Sequence, residues 1–271
     1  LYVHRIRAFR MPCNFKRVFP NAKDFIGCGE SDVERILIDF GSNICQIRLP
    51  YGSMVNGMEK LVLEALKNSP HFDTLKISDI LDGHSAAEFV RTNKLKRLVV
   101  GHIRHNEKEF YESIAHNTSL LCFKTYGIYS NDVALESLCV AIQTNKTLKR
   151  LKYPYPDSHA DASEIANALA INEGLISIDM SHSYLYSFQI ATCFSAFGKN
   201  RHLQRIRMRG FDTASIEVIC SITEALEHTK TLSCLDLVGK VFNPVGISRS
   251  LCFNRTLTRL ILRRTVVFSE D

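Results

Sequence analysis

An α/β solenoid is the architecture this sequence predicts. Three observations predict it: a phrase Asn-x-x-Leu-x-x-Leu-x-Leu that recurs along the chain, a nearly constant interval between its copies, and an amphipathic stretch ahead of each copy. The clearest copies read Asn117…Leu120-x-x-Phe123, Asn145…Leu148-x-x-Leu151-x-Tyr153, Asn172…Leu175-x-x-Ile178-x-Met180, Asn200…Leu203-x-x-Ile206-x-Met208 and Asn254…Leu257-x-x-Leu260-x-Leu262.

The first Leu-like residue of each copy falls at Ile44, Phe72, Leu95, Leu120, Leu148, Leu175, Leu203, Leu232 and Leu257, at intervals of 28, 23, 25, 28, 27, 28, 29 and 25. Such a period suits one strand and one helix per unit. Repetition of this kind makes 271 residues one elongated body, whatever domain count the length would suggest.

Each element follows from the phrase. The Leu-x-x-Leu-x-Leu segment is the strand. Seven and six positions before the marker stand a small and then a large residue, in the pairs Ala65-Leu66, Ser113-Ile114, Ala141-Ile142, Ala168-Leu169, Ala196-Phe197 and Ala225-Leu226. A small residue at a fixed helical position lets the helix lie close against the strand layer, and the large one fills the core. Helices are therefore expected at 57–68, 107–116, 132–144, 161–171, 187–198 and 215–228, with a shortened one at 84–93 in the 23-residue interval. Asn131-Asp132, Asp161-Ala-Ser-Glu164 and Asn106-Glu107 supply acids or caps at helix starts. Strands joined by helices run parallel, with the sheet on the inside and the helices outside.

Residues 1–43 fit the phrase less well. Val3-His-Arg-Ile6 and Phe19-Pro-Asn-Ala-Lys-Asp-Phe25 read as degenerate strand phrases, so this segment is expected to form atypical N-terminal repeats or a cap. Residues 44–271 then hold about nine repeats, and the chain ends just after the last phrase with no C-terminal cap evident, as in a piece of something longer.

Composition excludes several classes. No apolar run approaches the ~18 residues that cross a bilayer, so no membrane segment is expected. The nine cysteines are odd in number and never form Cys-x-x-Cys, which argues against a zinc ribbon or a closed disulfide framework. Cys139, Cys193, Cys220 and Cys252 sit among apolar neighbours in helical stretches and read as reduced, buried small hydrophobes. A cytoplasmic location follows, with the nucleus as the alternative. Asn117-Thr-Ser, Asn145-Lys-Thr and Asn254-Arg-Thr have the form of glycosylation sequons, but each Asn is the Asn of the phrase, where its side chain is expected to bond nearby backbone and form the turn.

The phrase, its long helical units and junctions such as Ala168-Leu169-Ala-Ile-Asn172-Glu-Gly-Leu175 resemble the ribonuclease-inhibitor-like class of leucine-rich repeats, over roughly residues 44–263. The resemblance implies a leucine-rich repeat solenoid, a horseshoe with a parallel concave β-sheet and convex helices. It implies a fold that serves many partners, among them small GTPases, whose regulation is a third functional reading. The chain departs from the pattern where Ser69, Thr92 and Thr229 replace the turn Asn, and where Thr125 and Tyr153 occupy the sixth strand position.

In the strand phrase the Leu-like positions point into the core, and alternation sends the third and fifth residues to the concave face. The third positions are Gln46, Thr74, Arg97, Cys122, Arg150, Ser177, Arg205, Cys234 and Arg259; the fifth are Arg48, Lys76, Val99, Lys124, Lys152, Asp179, Arg207, Asp236 and Ile261. Nine are Lys or Arg and two are Asp, a local charge of +7 in a chain whose 34 basic and 28 acidic residues sum to +6. The remainder, 25 basic against 26 acidic, carries −1.

Adjacent like charges on neighbouring strands repel mildly, so this strip needs either solvent or a counter-charge. A hydrated sheet face covered by long basic side chains is one reading. The other is a groove that focuses positive potential on an acidic partner. The partner-binding set is then Arg48, Lys76, Arg97, Lys124, Arg150, Lys152, Arg205, Arg207 and Arg259, with Tyr153 and Tyr155 as aromatic anchors at the strand ends. Further tyrosines and a histidine, Tyr126, His182, Tyr184 and Tyr186, lie at the ends of the same group of strands.

An acidic protein surface or segment is the preferred partner. Nucleic acid, alone or in a ribonucleoprotein, is the alternative; single strands favour aromatic stacking platforms, and the chain has no Trp. No phosphate loop, dinucleotide fingerprint or His-Glu-x-x-His occurs, and no small-molecule substrate or cofactor is expected. Asp179, Ser181 and His182 are close in sequence, yet adjacency at one strand end does not orient a nucleophile against a base. The sequence reads as a non-enzymatic interaction scaffold.

Overall fold

The computed structural model describes residues 6–7, 24–26, 46–49, 62–63, 67, 72–92, 94–128, 132–153, 162–181, 185–211, 216–239 and 244–263. The chain divides between Tyr126 and Gly127 into two compact units.

In the first unit, parallel strands follow one another in chain order: β1 (Ile6–Arg7), β2 (Asp24–Ile26), β3 (Gln46–Leu49), β4 (Thr74–Asp82), β5 (Arg97–Arg104) and β6 (Cys122–Ile128), which runs two residues past the boundary. Helices α1 (Gly83–Arg91) and α2 (Glu107–His116) follow β4 and β5, and Val62, Leu63 and Lys67 are helical within the expected 57–68 segment. The register of β4 on β5 shifts between Ile77 and Ile80, in the repeat with the shortest interval.

In the second unit, helices α3 (Asp132–Thr144), α4 (Ala162–Ile171), α5 (Ser187–Lys199), α6 (Ile216–His228) and α7 (Pro244–Phe253) alternate with β7 (Arg150–Lys152), β8 (Ser177–Ser181), β9 (Arg205–Phe211), β10 (Cys234–Gly239) and β11 (Arg259–Arg263). Strands β7 to β11 pair parallel in order. The last helix lies beyond the segments that the small-large pairs marked, although buried Ser250 stands seven positions before Leu257, where the other repeats place their small residue.

The core is made as the phrase dictates. Leu120, Phe123, Leu148, Leu151, Leu175, Ile178, Met180, Leu203, Ile206, Met208, Leu235 and Leu237 are all buried from the strand side. Ala141-Ile142, Ala168-Leu169, Ala196-Phe197 and Ala225-Leu226 are buried from the helix side. The close approach that the small residues permit shows at Gly198, where an added Cβ would lie 3.1 Å from the Cα of Ala225.

The repeated Asn performs the turn-forming role expected of it. Asn200 accepts from the backbone N–H of His202 and Leu203 at 2.8 and 2.7 Å, and its amide donates to the carbonyls of Leu169 and Asn172 at 2.7 and 2.9 Å. Asn117, Asn172 and Asn254 repeat this arrangement, each donating to the preceding helix at Val90, Ile142 and Leu226. One side chain thus closes its own turn and ties it to the repeat before. Thr229 retains only the turn half, accepting from Thr231 and Leu232 at 3.5 and 3.2 Å, because a hydroxyl cannot span to the preceding helix as an amide does. Thr229→Asn is expected to add the missing donation, to Phe197, and to stabilise the second unit by about 1 kcal/mol, read as a higher urea midpoint.

Two local expectations are corrected. Asn106 does not cap α2: it sits in the left-handed region, and its amide donates to Asp82 Oδ1 at 2.9 Å while Asp82 Oδ2 caps α1 through the N–H groups of His84 and Ser85. Cys220 and Cys252 are exposed on α6 and α7, because their positions face away from the strand layer; Cys139 and Cys193 are buried, and burial pushes both thiols up to about 12.

Helices α1 and α2 are joined by an exposed triad in which Glu109 takes His84 Nδ1 at 3.0 Å and Arg91 Nη1 at 2.8 Å. The hydrogen bond that His84 donates to Glu109 raises the His84 pKa above 6.5, and the bonds from His84 and Arg91 lower that of Glu109 below 4.5. A raised histidine contributes stability below its unfolded pKa and loses it as pH rises through its folded one; a lowered carboxylate contributes above its unfolded pKa and loses it as pH falls. The bridge therefore works in the window between them. Proton NMR is expected to show His84 titrating above 6.5, and Glu109→Gln to bring it back toward that value.

Candidate partner-binding face

Parallel register fixes which residues stand beside one another. In the second unit the third positions form the row Arg150, Ser177, Arg205, Cys234 and Arg259, and the fifth positions form the row Lys152, Asp179, Arg207, Asp236 and Ile261. In the first unit the corresponding rows run Gln46, Thr74, Arg97 and Arg48, Lys76, Val99.

Arg97, Arg150, Arg205, Arg207 and Arg259 are exposed, and Lys76, Lys124 and Lys152 are half-buried. Arg48 pairs with Lys76 across β3 and β4 through its backbone register. Tyr153 is not an anchor: at the sixth strand position its ring is 1% exposed and fills the core, as the Leu-like residue of that position does elsewhere. Tyr155 lies outside the described residues. Tyr186 is exposed beside the start of α5 and stacks on Phe188 with ring centroids 6.0 Å apart, so its face is already engaged by a neighbour.

The two rows of the second unit differ electrostatically. In the fifth row, Arg207 Nε donates to Asp236 Oδ2 at 2.9 Å and Arg207 Nη1 lies 3.6 Å from Asp179 Oδ2. Arg209 Nη2 reaches the same Asp236 oxygen at 3.4 Å. Lys152 and Arg207 against Asp179 and Asp236 leave this row with no net charge. Among the described residues, none forms an ion pair with Arg150, Arg205 or Arg259. At the third and fifth positions of this unit the basic excess therefore sits in a single file.

Arg209 and Arg263 were beyond the reach of the six-residue phrase. Strands β9 and β11 continue past it, and alternation places a seventh residue on the same side as the third and fifth. Extending the period by one step would have found both.

Of the Asp179, Ser181, His182 grouping, two members are described. The Asp179 carboxylate accepts from the Ser181 backbone N–H at 3.0 Å, Ser181 is buried, and His182 lies outside the described residues. Among the described residues no three His, Cys, Asp or Glu side chains are placed to hold a metal ion, and no helix is long and apolar enough to cross a membrane.

No family model matches the sequence, and no curated protein matches it. Solved structures do. A TLR13 in complex with the single-stranded RNA ssRNA13 is similar over 91% of this chain and 34% of that one, at 15% identity and a TM-score of 0.53. An internalin from Listeria monocytogenes aligns over 92% of this chain and 60% of that one, at 13% identity and a TM-score of 0.46. The second actin-binding site of leiomodin-1 aligns over 46% of this chain and 75% of that one, at 18% identity and a TM-score of 0.39. With its parallel strands, alternating helices and Asn turns, the chain has the α/β leucine-rich repeat solenoid fold. It spans about a third of the length of the TLR13 chain it matches.

Proposed function

We propose that this chain is a non-enzymatic interaction scaffold that holds an acidic protein surface or segment against its basic strand face, as part of a larger protein or assembly in the cytoplasm. The observation that carries the reading is the row Arg150, Arg205, Arg259: three exposed guanidinium groups without an ion pair among the described residues, beside a row that neutralises itself. Guanidinium is weakly hydrated and forked, which suits bidentate capture of carboxylate. The helix-bearing repeats fit the ribonuclease-inhibitor-like class of the fold.

Arg150→Glu, Arg205→Glu and Arg259→Glu combined are expected to abolish recovery of an acidic partner in affinity capture while leaving the urea midpoint within about 0.5 kcal/mol of the parent, since all three are surface positions. Capture unaffected by the triple substitution would exclude this face.

Nucleic acid is the second reading, favoured by the same basic row and by the RNA named in the TLR13 complex. Phosphate contacts make affinity fall steeply with salt. A titration of single-stranded RNA and of random duplex from low to physiological salt separates the two readings: absence of binding at low salt removes this one.

A further inference from the structure

We propose that the arginine row of the second unit is a ruler for an acidic segment in polyproline II conformation that carries an acidic residue at every third position. The inference rests on the acidic-partner reading and specifies the shape and spacing of what is bound.

Its basis is the alternation within the third-position row. Strands β7 to β11 are in unbroken parallel register there, with Arg150 beside Ser177, Ser177 beside Arg205, Arg205 beside Cys234 and Cys234 beside Arg259. Arginine thus stands on every second strand, and a small residue leaves a trough between. Neighbouring strands lie about 4.8 Å apart, so the guanidinium stems repeat at ~9.6 Å along the stacking direction.

Few polymers present charge at that interval on one side. Polyproline II has three residues per turn and rises ~3.1 Å per residue, so every third side chain falls on one line at ~9.3 Å. Across the two intervals from Arg150 to Arg259 the mismatch is under about 1 Å. An α-helix with acids seven apart repeats at ~10.5 Å and drifts by ~20° per heptad, so its second and third acids move off the row. A nucleic-acid strand in a duplex places a charge every ~3.4 Å, and most of those charges would face the adjoining row. That row carries no net charge, because Arg207 is held between Asp179 and Asp236, so it offers those charges no counter-charge.

The intervening positions agree. The two residues between successive acids in such a segment carry no charge requirement, and the row beside the arginines offers none, because Arg207 is held between Asp179 and Asp236. The third and fifth positions of this unit carry no aromatic side chain, so base stacking has no platform there.

The native cysteines provide the test. Cys234 lies half-buried in the trough between Arg205 and Arg259, while Cys220 and Cys252 are exposed on helices. Two labelled peptides of identical composition are titrated into the full chain at low salt: three Glu-Pro-Pro triplets, and three glutamates followed by six prolines. The spaced peptide is expected to bind at least about tenfold more tightly and to slow iodoacetamide alkylation of Cys234, with Cys220 and Cys252 unaffected, read by mass spectrometry. Arg205→Gln should remove the preference, and retention of the preference by this variant would overturn the inference.

Equal affinity for the two peptides overturns the spacing inference and leaves the acidic-partner reading standing. If neither binds, the inference fails; if poly-glutamate also fails to bind, the acidic-partner reading fails with it. Tighter binding and Cys234 protection by an oligouridylate of equal charge would assign the row to nucleic acid instead.

Discussion

Replacing Asn172 with alanine is expected to lower the stability of the second unit by about 3–5 kcal/mol, the range of severe buried polar substitutions. This side chain is 2% exposed. Its Oδ1 accepts the N–H groups of Gly174 and Leu175 at 2.9 and 2.6 Å, and its amide donates to the carbonyls of Ile142 and Asn145. Alanine removes the acceptor of both N–H groups and the donor to both carbonyls at once and leaves buried backbone groups unmatched, at about 1–3 kcal/mol each before relaxation. Relaxation is restricted. Gly174 packs against Lys146 so closely that a Cβ there would lie 2.8 Å from its carbonyl, so the turn has little room to reorganise. Urea unfolding followed by far-ultraviolet circular dichroism measures the loss, with exposed Asn167 on α4 replaced by alanine as the control. A change below about 1 kcal/mol at Asn172 would mean that the ladder of Asn turns does not hold the repeats together.

That ladder explains why so much of the fold was legible. Core positions recur because each repeat solves the same packing problem, and a period is visible in one sequence without reference to any other. The helices at 107–116 and 132–144 therefore coincide with Glu107–His116 and Asp132–Thr144. The strand face was only half legible. Alternation says which way Arg207 and Asp236 point, yet not that they bond to each other, because that depends on register between residues twenty-nine apart. Counting charges along the face gave one broad strip; pairing them by register left a neutral row and a basic row. Tyr153 was misread for the opposite reason. Its residue type suggested an anchor, whereas its place in the phrase already assigned it to the core, and position outweighs type in a repeat.

Arg207 is accordingly a residue of the fold, and its replacement by leucine is expected to cost about 2–4 kcal/mol of stability. The Asp236 side chain is 3% exposed, its Oδ1 has no hydrogen-bond partner, and its Oδ2 depends on Arg207 at 2.9 Å and Arg209 at 3.4 Å. Removing the closer guanidinium leaves a buried carboxylate with one long contact, and an uncompensated buried charge is the costly outcome of breaking such a pair. The Arg207 side chain is itself 45% exposed, so solvent takes part of the loss and the lower half of the range is favoured. Arg207→Glu should be worse still, since it sets a third carboxylate between Asp179 and Asp236. Removal of both charges, Arg207→Leu with Asp236→Leu, is expected to recover most of the stability, because an apolar pair of similar volume has no charge to desolvate. Arg205→Leu, two residues away on the same strand, should shift the urea midpoint by no more than about 0.5 kcal/mol, because no ion pair or buried partner depends on it. A double-mutant cycle in urea measures the coupling, and additive effects would show that Arg207 and Asp236 do not support each other. The contrast decides how binding at this face must be tested. Charge reversals that include Arg207 confound unfolding with loss of a partner, whereas those confined to Arg150, Arg205 and Arg259 report on recognition alone.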